Sequence, residues 1–415
     1  MIKRLYIHVP FCASKCGYCA FYSLPLPKPS EIDSYIGKLA HDFKCSSHLC
    51  GKLESVFIGG GTPTFLSAQN LGKLFSLIRS NFDISADAEI SIECNPETLT
   101  PEKARIIADF ANRVSLGIQS FNPKFRRILG RQGSVSTIEK AITLLTKNGV
   151  GNIGCDLIYA IPEQTPEDWQ IDLEKAVALP LKHISAYSLT IEEGTLLSEK
   201  MTNNECRTTN NEVQNITDTR HPTPDTVHQR LTTSDPASLE NYAMASQRLA
   251  TDDWRLTTSD YSLKMWNLAG SVLKKHGFHR YEISNYAKRS FECRHNLAIW
   301  YGDKYLGFGP AAASFDGDKR WTNVSDLQKW LAGTEPEMDL IPSEKRAREI
   351  FVMGLRTSQG WNKKYFHGAS GFKVEIFKSE LAELEALKLI KETDDKISCT
   401  RKGLLLWNEV AESLI

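Results

Sequence analysis

Cys12-Ala13-Ser14-Lys15-Cys16-Gly17-Tyr18-Cys19 is the most informative stretch of this chain. Three cysteine thiolates on one short loop can hold three corners of a cubic 4Fe–4S cluster, because sulfur is the soft ligand that such clusters need. The fourth iron then has no protein ligand and stays open to an exchangeable small molecule, as in a catalytic metal site. Cys12, Cys16 and Cys19 are therefore the predicted metal ligands.

A structural zinc site is the alternative interpretation, with His8 or a distant cysteine completing the ligand set. Zinc sites usually pair C-x2-C with a second pair of ligands at a fixed distance, and the spacing of this loop does not follow that pattern. A second group of metal-binding residue types lies further along the chain, at His41, Cys45, His48 and Cys50. Its spacing also matches no standard zinc pattern, so a second metal site is disfavoured.

Length and composition limit the class of protein. At 415 residues the chain is too long for one compact core, and two or three domains are expected. Its 50 basic and 50 acidic residues cancel, which argues against a nucleic-acid-binding protein, since such proteins carry a basic excess or stripe. Three of the ten cysteines lie in the loop and the other seven are scattered, so they do not predict a disulfide framework. No apolar run reaches the ~20 residues of a membrane span. We expect a reduced, cytoplasmic protein without a membrane span, with peripheral membrane contact left open.

Alternating strand and helix patterns predict the architecture. Apolar runs at 5–9, 56–58, 88–93, 114–118, 151–159 and 183–189 predict six strands, and segments of helical period separate them. Thr100 and Thr165 each precede a proline and an acid, which marks the start of a helix. Such alternation gives a parallel sheet with helices outside it, and six units are too few for a closed eight-stranded barrel. The predicted fold is α/β, an open partial (β/α)6 barrel.

Polar and glycine-rich segments lie where these strands end. The Gly59–Thr64 loop follows the second strand, Glu93 ends the third, Gln119 ends the fourth and Asp156 lies in the fifth. Barrel folds place their sites at the carboxyl ends of the strands, where the cysteine loop also lies. Either carboxylate alone would be interpreted as solvated or salt-bridged, but four such features in phase with the loop favour a functional site.

Five motifs then give the chain a family resemblance: Tyr6-x-His8-x-Pro10-Phe11-Cys12 and the segments 59–64, 91–93, 117–122 and 156–159. With the C-x3-C-x-aromatic-C spacing, they resemble the radical S-adenosylmethionine (SAM) proteins of the oxygen-independent coproporphyrinogen III oxidase family, in its HemW branch. The resemblance covers about residues 1–200 and 262–415. It implies a radical-SAM barrel and a 4Fe–4S cluster whose open iron chelates the methionine end of SAM.

The resemblance also implies a set of SAM contacts, namely Tyr6, Tyr18, Gly60, Gly61, Thr62, Glu93, Gln119, Arg131 and Asp156. Each has a physical role available to it. The backbone of a glycine loop can approach a ligand closely. Glu93 and Asp156 can accept hydrogen bonds from the amine and the ribose hydroxyls, and Arg131 can pair with the carboxylate.

Residues 293–300, Cys-Arg-His-Asn-Leu-Ala-Ile-Trp, resemble a HemW-type stretch in which Ile299 replaces the expected tyrosine. His295 is a candidate axial ligand of haem, since imidazole is the common proximal ligand. A hydrogen-bonded structural histidine is the alternative. The apolar, glycine-rich segment 306–313 suits either the close approach of a flat ligand or plain packing.

The chain is expected to divide into four parts. Residues 1–200 form the partial barrel, and residues 201–261 form a polar insertion in which Arg-Leu-Thr-Thr-Ser-Asp at 230–235 recurs at 255–260. The stretch 202–236 is poor in large apolar residues and predicts a flexible loop, and the helix at 237–249 resembles an added copy of the next one. Residues 262–340 form a barrel-covering segment, and residues 341–415 form a winged-helix-like domain. DNA binding by that domain is disfavoured because no basic stripe accompanies it.

Two functions agree with these features. By the family resemblance, the oxidase carries a fourth cysteine where this chain has Phe21, and a long N-terminal arm ahead of the strand that contains Tyr6. Both differences favour a haem chaperone, which binds haem and transfers it to an unidentified acceptor protein. The alternative is an oxygen-independent coproporphyrinogen III oxidase that decarboxylates coproporphyrinogen III with SAM. Whether the chain is an enzyme is left open.

Overall fold

The computed structural model describes residues 1–131, 133–202 and 260–415. Its strands are β1 (Ile2–Val9), β2 (Phe11–Cys12), β3 (Leu24–Pro25), β4 (Cys50–Gly60), β5 (Ile84–Cys94), β6 (Arg113–Gln119), β7 (Asn152–Tyr159), β8 (His183–Ser188), β9 (His279–Arg280), β10 (Asn285–Ala287), β11 (Tyr305–Phe308), β12 (Ala313–Phe315), β13 (Lys319–Thr322), β14 (Glu337–Leu340), β15 (Trp361–Asn362), β16 (Ile390–Glu392) and β17 (Lys396–Cys399).

Fifteen α-helices lie within the described ranges. They are α1 (Pro29–Ser46), α2 (Ala68–Asn81), α3 (Pro101–Phe110), α4 (Pro123–Ile128), α5 (Val135–Lys147), α6 (Pro166–Ala178), α7 (Leu196–Thr202), α8 (Asp260–Lys275), α9 (Arg294–Trp300), α10 (Leu327–Leu331), α11 (Ser343–Leu355), α12 (Lys363–Ser370), α13 (Lys378–Ala386), α14 (Arg401–Leu405) and α15 (Trp407–Leu414). The predicted caps are present: the side chains of Thr100 and Thr165 accept from the N–H groups of Lys103 and Asp168.

One twelve-stranded sheet dominates the fold, in the order β14-β13-β12-β11-β1-β4-β5-β6-β7-β8-β10-β9. The strands β1, β4, β5, β6, β7 and β8 are parallel, and they are the six that the sequence predicts. The strand order has two free ends, so the sheet is open. The predicted α/β fold with an open, mostly parallel sheet is confirmed.

Residues 279–340 extend this sheet as well as covering it. β11 pairs parallel with β1, with Arg4 opposite Tyr305, and the antiparallel strands β12 to β14 follow it outward. On the other side, β10 pairs antiparallel with β8. The sequence analysis did not predict these additions, and they make the segment an integral part of the sheet.

The two faces of the parallel strands differ in chemistry. Leu5, Ile7 and Val9 of β1 point outward and are fully buried under the helices. Their neighbours Tyr6 and His8 point inward, because successive side chains of a strand alternate between faces. The inner face is polar along much of the sheet, and the lower half of this face is covered by α9, which packs against β4.

The C-terminal part consists of α11 to α15 around the three-stranded sheet β15-β17-β16. β16 and β17 form a hairpin, with Ile390 opposite Cys399. This agrees with the predicted separate, winged-helix-like C-terminal part. The exact boundaries at 200, 261 and 341 stay predictions. The polar insertion, its repeat and the helix predicted at 237–249 lie outside the described residues. No helix of the described ranges is long and apolar enough to cross a membrane.

Candidate functional site

The cysteine loop leaves the carboxyl end of β1 and is held by backbone hydrogen bonds from distant parts of the chain. The N–H of Gly17 donates to Leu129 O at 3.0 Å, and the N–H of Leu197 donates to Gly17 O at 2.7 Å. Within the loop, the N–H of Cys19 donates to Cys16 O at 3.2 Å. Two other segments of the barrel therefore fix the path of the loop.

The three thiols of the loop are electrostatic neighbours of one another. Burial raises the pKa of Cys12, with Cys16 adding to the shift, and burial raises the pKa of Cys19 to about 11. Thr62 Oγ1 lies 3.4 Å from Cys12 Sγ, and Arg131 Nη1 donates to Cys16 Sγ at 3.8 Å. A coordinated thiol is deprotonated by the metal, and the arginine and the hydroxyl then meet a thiolate.

The same donors do not fit a single zinc ion. Among the described residues, no three His, Cys, Asp or Glu side chains are grouped as ligands of one ion. In a cubic cluster each thiolate binds a different iron, so the three sulfurs need not converge. His8 cannot complete a zinc set in this geometry, because its Nδ1 meets Tyr6 Oη at 3.0 Å and its Nε2 meets Tyr22 O at 2.9 Å. The residues fit a 4Fe–4S cluster.

The glycine loop that follows β4 leaves no room for side chains. A Cβ on Gly59 would lie 2.8 Å from Glu93 Oε2, and a Cβ on Gly61 would lie 2.9 Å from the carbonyl carbon of Pro10 and 3.0 Å from Cys12 Sγ. Gly60 has φ +109°, a conformation that side chains rarely adopt, and its N–H donates to Glu93 Oε2 at 3.0 Å. The loop thus brings bare backbone beside the first cysteine.

Glu93 and Asp156 meet across the inner face, both half-buried at the open end of the barrel. Burial raises the pKa of Glu93 to about 7, and the charge of Asp156 contributes to this shift. Burial also raises the pKa of Asp156, against the lowering effect of hydrogen bonds from Ser185 and Ser115. The distances from Ser115 Oγ to the two carboxylate oxygens of Asp156 are 3.3 and 3.2 Å. Two carboxylates in this setting favour a cationic or hydrogen-donating ligand.

Gln119 and Arg131 complete this edge of the sheet. Gln119 has φ +69°, an uncommon conformation for a residue with a side chain, and it is the last residue of β6. Arg131 Nη2 donates to Gly117 O and to Asn95 Oδ1, the latter at 3.3 Å. Because its other terminal nitrogen reaches Cys16, the guanidinium spans the space between the strand ends and the cysteine loop.

The structure therefore brings most of the predicted site residues together. Tyr18 lies among Cys16, Cys19, Arg131 and Asp156, whose charges act on its phenol. Tyr6 lies deeper on the inner face, one layer below the glycine loop, where its ring is 6.2 Å from that of Phe57. Sequence reasoning missed Ser115, Ser185 and Asn95. Ser115 could have been found, since it lies two residues before Gly117 and so shares the inner face of β6.

His295 lies apart from this group. It is 2% exposed, and its Nδ1 is 2.8 Å from Oγ of Ser55 near the amino-terminal half of β4. Burial lowers the pKa of His295 to about 3, which keeps the imidazole neutral. Its ring packs 5.3 Å from that of Phe57. In this conformation the imidazole serves as a hydrogen-bonded structural group, and α9 would have to leave the sheet for His295 to bind haem iron.

Two further candidates from the sequence are resolved by packing. Segment 306–313 has no space for a flat ligand, because a Cβ on Gly309 would lie 2.3 Å from His8 O and one on Gly307 would lie 2.1 Å from Ala313 O. In the second group of metal-binding residue types, His41 Nε2 lies 3.6 Å from Cys45 Sγ, but only these two form a pair.

Comparison with known proteins agrees with this geometry. The family model of the radical SAM superfamily matches residues 6–176, and that of the HemN C-terminal domain matches residues 341–406. The solved structure of coproporphyrinogen III oxidase (HemN) from Escherichia coli superposes with a TM-score of 0.75, covering 99% of this chain and 89% of that one. At 21% identity this likeness shows the shared fold.

Curated relatives match over the whole length. The protein named heme chaperone HemW of Mycobacterium tuberculosis is 30% identical over 425 residues, covering 99% of this chain and 94% of that protein. The heme chaperone HemW of Lactococcus lactis is 29% identical over 416 residues, covering 99% and 96%. Membership of the superfamily implies a 4Fe–4S cluster and SAM as cofactors. The chain belongs to the radical SAM superfamily, in the HemW branch of the HemN family.

Proposed function

We propose that this protein binds haem and transfers it to an acceptor protein, with SAM bound beside the cysteine loop. The full-length similarity to proteins named heme chaperone HemW is the observation that carries this proposal. The geometry adds two kinds of support, a polar pocket suited to SAM and an apolar rim suited to a porphyrin.

The proposed SAM pocket uses the residues at the strand ends. The half-buried carboxylates of Glu93 and Asp156 would accept from the amine and the ribose hydroxyls, and Arg131, already beside Cys16, would meet the carboxylate. Gly60, Gly61 and Thr62 would let the backbone approach the ligand. Tyr18 and Gln119 would bound the pocket at the cysteine loop and at β6, and Tyr6 would support it from below. When bound, the cluster would supply an open iron for the methionine end of SAM.

Exposed apolar side chains surround the cysteine loop and suit a flat macrocycle. Phe21 is 51% exposed, Leu26 is 76% exposed and Leu196 is 51% exposed. The N–H of Leu26 donates to Cys12 O at 3.0 Å, and the residue after Leu196 is hydrogen-bonded to Gly17, so all three lie at the loop. Exposed apolar side chains that group together around one loop are typical of a surface that a ligand or partner covers. We propose that one face of the porphyrin rests on this rim.

The competing function is the decarboxylation of coproporphyrinogen III, and the HemN-like fold favours it. Phe21 argues against it, because this residue stands where the family resemblance places the fourth cysteine of the oxidase. The two functions give different products in one assay. Cluster-reconstituted protein is offered coproporphyrinogen III, SAM and a reductant under anaerobic conditions. Efficient decarboxylation without stable haem binding would replace the chaperone proposal by the oxidase.

Haem binding is tested with the same reconstituted protein by following the Soret band during titration with haem. We expect saturable binding that Phe21→Glu and Leu26→Glu weaken, since a carboxylate on the rim opposes contact with an apolar macrocycle. Tyr365→Glu is the matched control, because Tyr365 is 77% exposed but belongs to the C-terminal part. Equal weakening by all three variants would show that the rim is not the haem site. Transfer is measured by incubating the haem-loaded protein with an apo-haem protein and separating the two.

A further inference from the structure

Arg113 is a buried arginine on the inner face of the sheet, on the side of the two site carboxylates that lies toward the start of β6. It lies on β6, 3% exposed, and pairs with Ser91 of β5 on one side. Two residues further along the same inner face, Ser115 pairs with Glu93 and donates to Asp156. Because inward positions recur every second residue, the side chain of Arg113 occupies the layer below the acid pair.

Within the described ranges, part of the Arg113 guanidinium lacks a structural partner. Its Nε has no hydrogen-bond acceptor among the described residues. A buried arginine without such an acceptor is costly unless its charge is balanced by nearby anions. The anions around it are Glu89, Asp156 and Glu93, each of which interacts with its charge.

One of these three anions already has its own donors. Glu89 accepts from the backbone N–H groups of Arg294 and His295, both at 2.9 Å, and from the thiol of Cys293 at 3.5 Å. Among the described residues, Glu93 accepts one backbone hydrogen bond, from Gly60, and Asp156 accepts from the hydroxyl group of Ser115. Arg113 is therefore the buried cation whose charge remains available to Glu93 and Asp156.

The other groups that face the acid pair do not replace it. They are Arg131 above the pair, Tyr18 of the cysteine loop, Tyr187 of β8 and the outward Cys155 of β7. The tyrosines and the cysteine are neutral at neutral pH. Arg131 is shared with Cys16, Gly117 and Asn95 and would face the SAM carboxylate.

We propose that Arg113 is a positioning residue of the SAM site, whose charge favours the anionic forms of Glu93 and Asp156 without touching the ligand. This rests on the SAM pocket proposed above. Without a cation below them, two carboxylates in a partly dry site share a proton and lose an acceptor. Burial raises the pKa of both carboxyls, and the charge of Arg113 opposes this rise, which agrees with this role.

The test measures SAM affinity as a function of pH in the cluster-reconstituted full chain, by equilibrium dialysis with labelled SAM between pH 6 and 9. In Arg113→Met, the pH below which affinity is lost should move upward by about one unit, with about fivefold weaker binding at pH 7. Arg113→Lys keeps the charge and should follow the wild type. Arg105→Met, an exposed arginine on α3, is the control for loss of a positive charge.

The outcomes separate this proposal from the one on which it rests. An Arg113→Met profile that matches the wild type overturns the role of Arg113 and leaves the SAM pocket standing. Wild-type protein that binds no SAM at any pH contradicts the pocket itself. If Arg113→Met does not fold, Arg113→Met with Asp156→Asn removes the uncompensated charge and should restore folded protein. Failure of this double variant would show that Arg113 serves packing, and would overturn the proposal.

Discussion

At the scale of single residues, the site depends on hydrogen-bond donors such as Arg131 and on a loop of glycines that leaves no room for side chains. The sequence predicts Glu93, Gln119 and Asp156 correctly as neighbours, because each lies at the carboxyl end of a parallel strand. It does not predict Arg113, since an arginine at the start of an otherwise apolar run gives no sign that it points into the barrel. His295 shows the opposite case. A sequence motif identifies it as a candidate ligand, and only the structure shows that its imidazole is hydrogen-bonded to Ser55.

The cysteines give the most direct prediction. Replacing Cys12, Cys16 or Cys19 by Ala should abolish the cluster, because two thiolates cannot hold the cube. Iron and sulfide are measured after anaerobic reconstitution. Cys45→Ala, at an exposed cysteine of α1, is the control and should keep full iron content. Full iron and sulfide in a variant that lacks all three cysteines would contradict the assignment of the ligands.

Gly61 tests the close approach of the backbone to Cys12. Gly61→Ala should reduce cluster content and stability, since its Cβ would lie 3.0 Å from the cysteine sulfur. Gly72→Ala on α2 is the matched control, because a Cβ there meets nothing within 4 Å. In a helix that change should stabilise the protein by about 0.5–1 kcal/mol. Equal cluster content in both variants would show that the glycine loop can shift to accommodate a Cβ at position 61.

Glu93 makes a prediction about pH. Its pKa is about 7 in the folded protein, above its ordinary value of 4.5, so the folded state holds the proton more tightly. Its contribution to stability is full below pH 4.5 and is lost as the pH rises through 7. Without ligand, Glu93→Gln should therefore gain in melting temperature relative to the wild type between pH 5 and pH 8. Calorimetry measures this, with the exposed Glu163→Gln as control. A difference in melting temperature between Glu93→Gln and the wild type that stays constant with pH would contradict the raised pKa of Glu93.

At the scale of elements, the strands and helices that the sequence predicts are those with strong local patterns. The six parallel strands are apolar runs, and the helices start at capped prolines such as Pro101 and Pro166. The pairing of β11 with β1 leaves no local signal, because Arg4 and Tyr305 are about three hundred residues apart in sequence and meet only in the sheet. Strand pairings between such distant segments are decided by the packing of the complete fold, so local sequence patterns do not predict them.

The packing of α9 gives the prediction at this scale. His295→Ala removes the hydrogen bond to Ser55 and the contact with Phe57, and should lower the free energy of unfolding by about 1–3 kcal/mol. Haem binding should be retained if the macrocycle rests on the rim at Phe21. Urea unfolding and the Soret titration are measured on the same preparation. Loss of the Soret shift at unchanged stability would restore His295 as the haem ligand.

At the scale of the whole molecule, a buried ion pair joins the C-terminal part to the sheet. Arg356, just after α11, donates to Glu282 Oε1 from Nε at 2.8 Å and from Nη2 at 2.6 Å, and Glu282 is fully buried. Arg356→Met should cost about 3–5 kcal/mol, because it leaves a buried charge unpaired. Urea unfolding checks this.

Two further variants serve as controls for the loss of stability in Arg356→Met. Lys124→Met breaks a pair with Glu163 whose side chains are 49% and 56% exposed, and should cost at most about 1 kcal/mol. Arg356→Met combined with Glu282→Gln should recover part of the loss, because no charge is then buried. A double variant no better than Arg356→Met would show that the arginine acts through its packing against Trp300 and Trp407.

The pairing of β1 with β11 has a consequence for synthesis. β1 and the cysteine loop are synthesised long before β11, and β1 gains its second neighbour only when Tyr305–Phe308 has been made. At the usual speed of translation, about 5–20 residues per second, that interval lasts roughly fifteen seconds to a minute. During this time the three thiols belong to an unfinished sheet. We therefore expect cluster insertion to follow the pairing of β11 with β1, and the nascent cysteines to need a reducing environment until then.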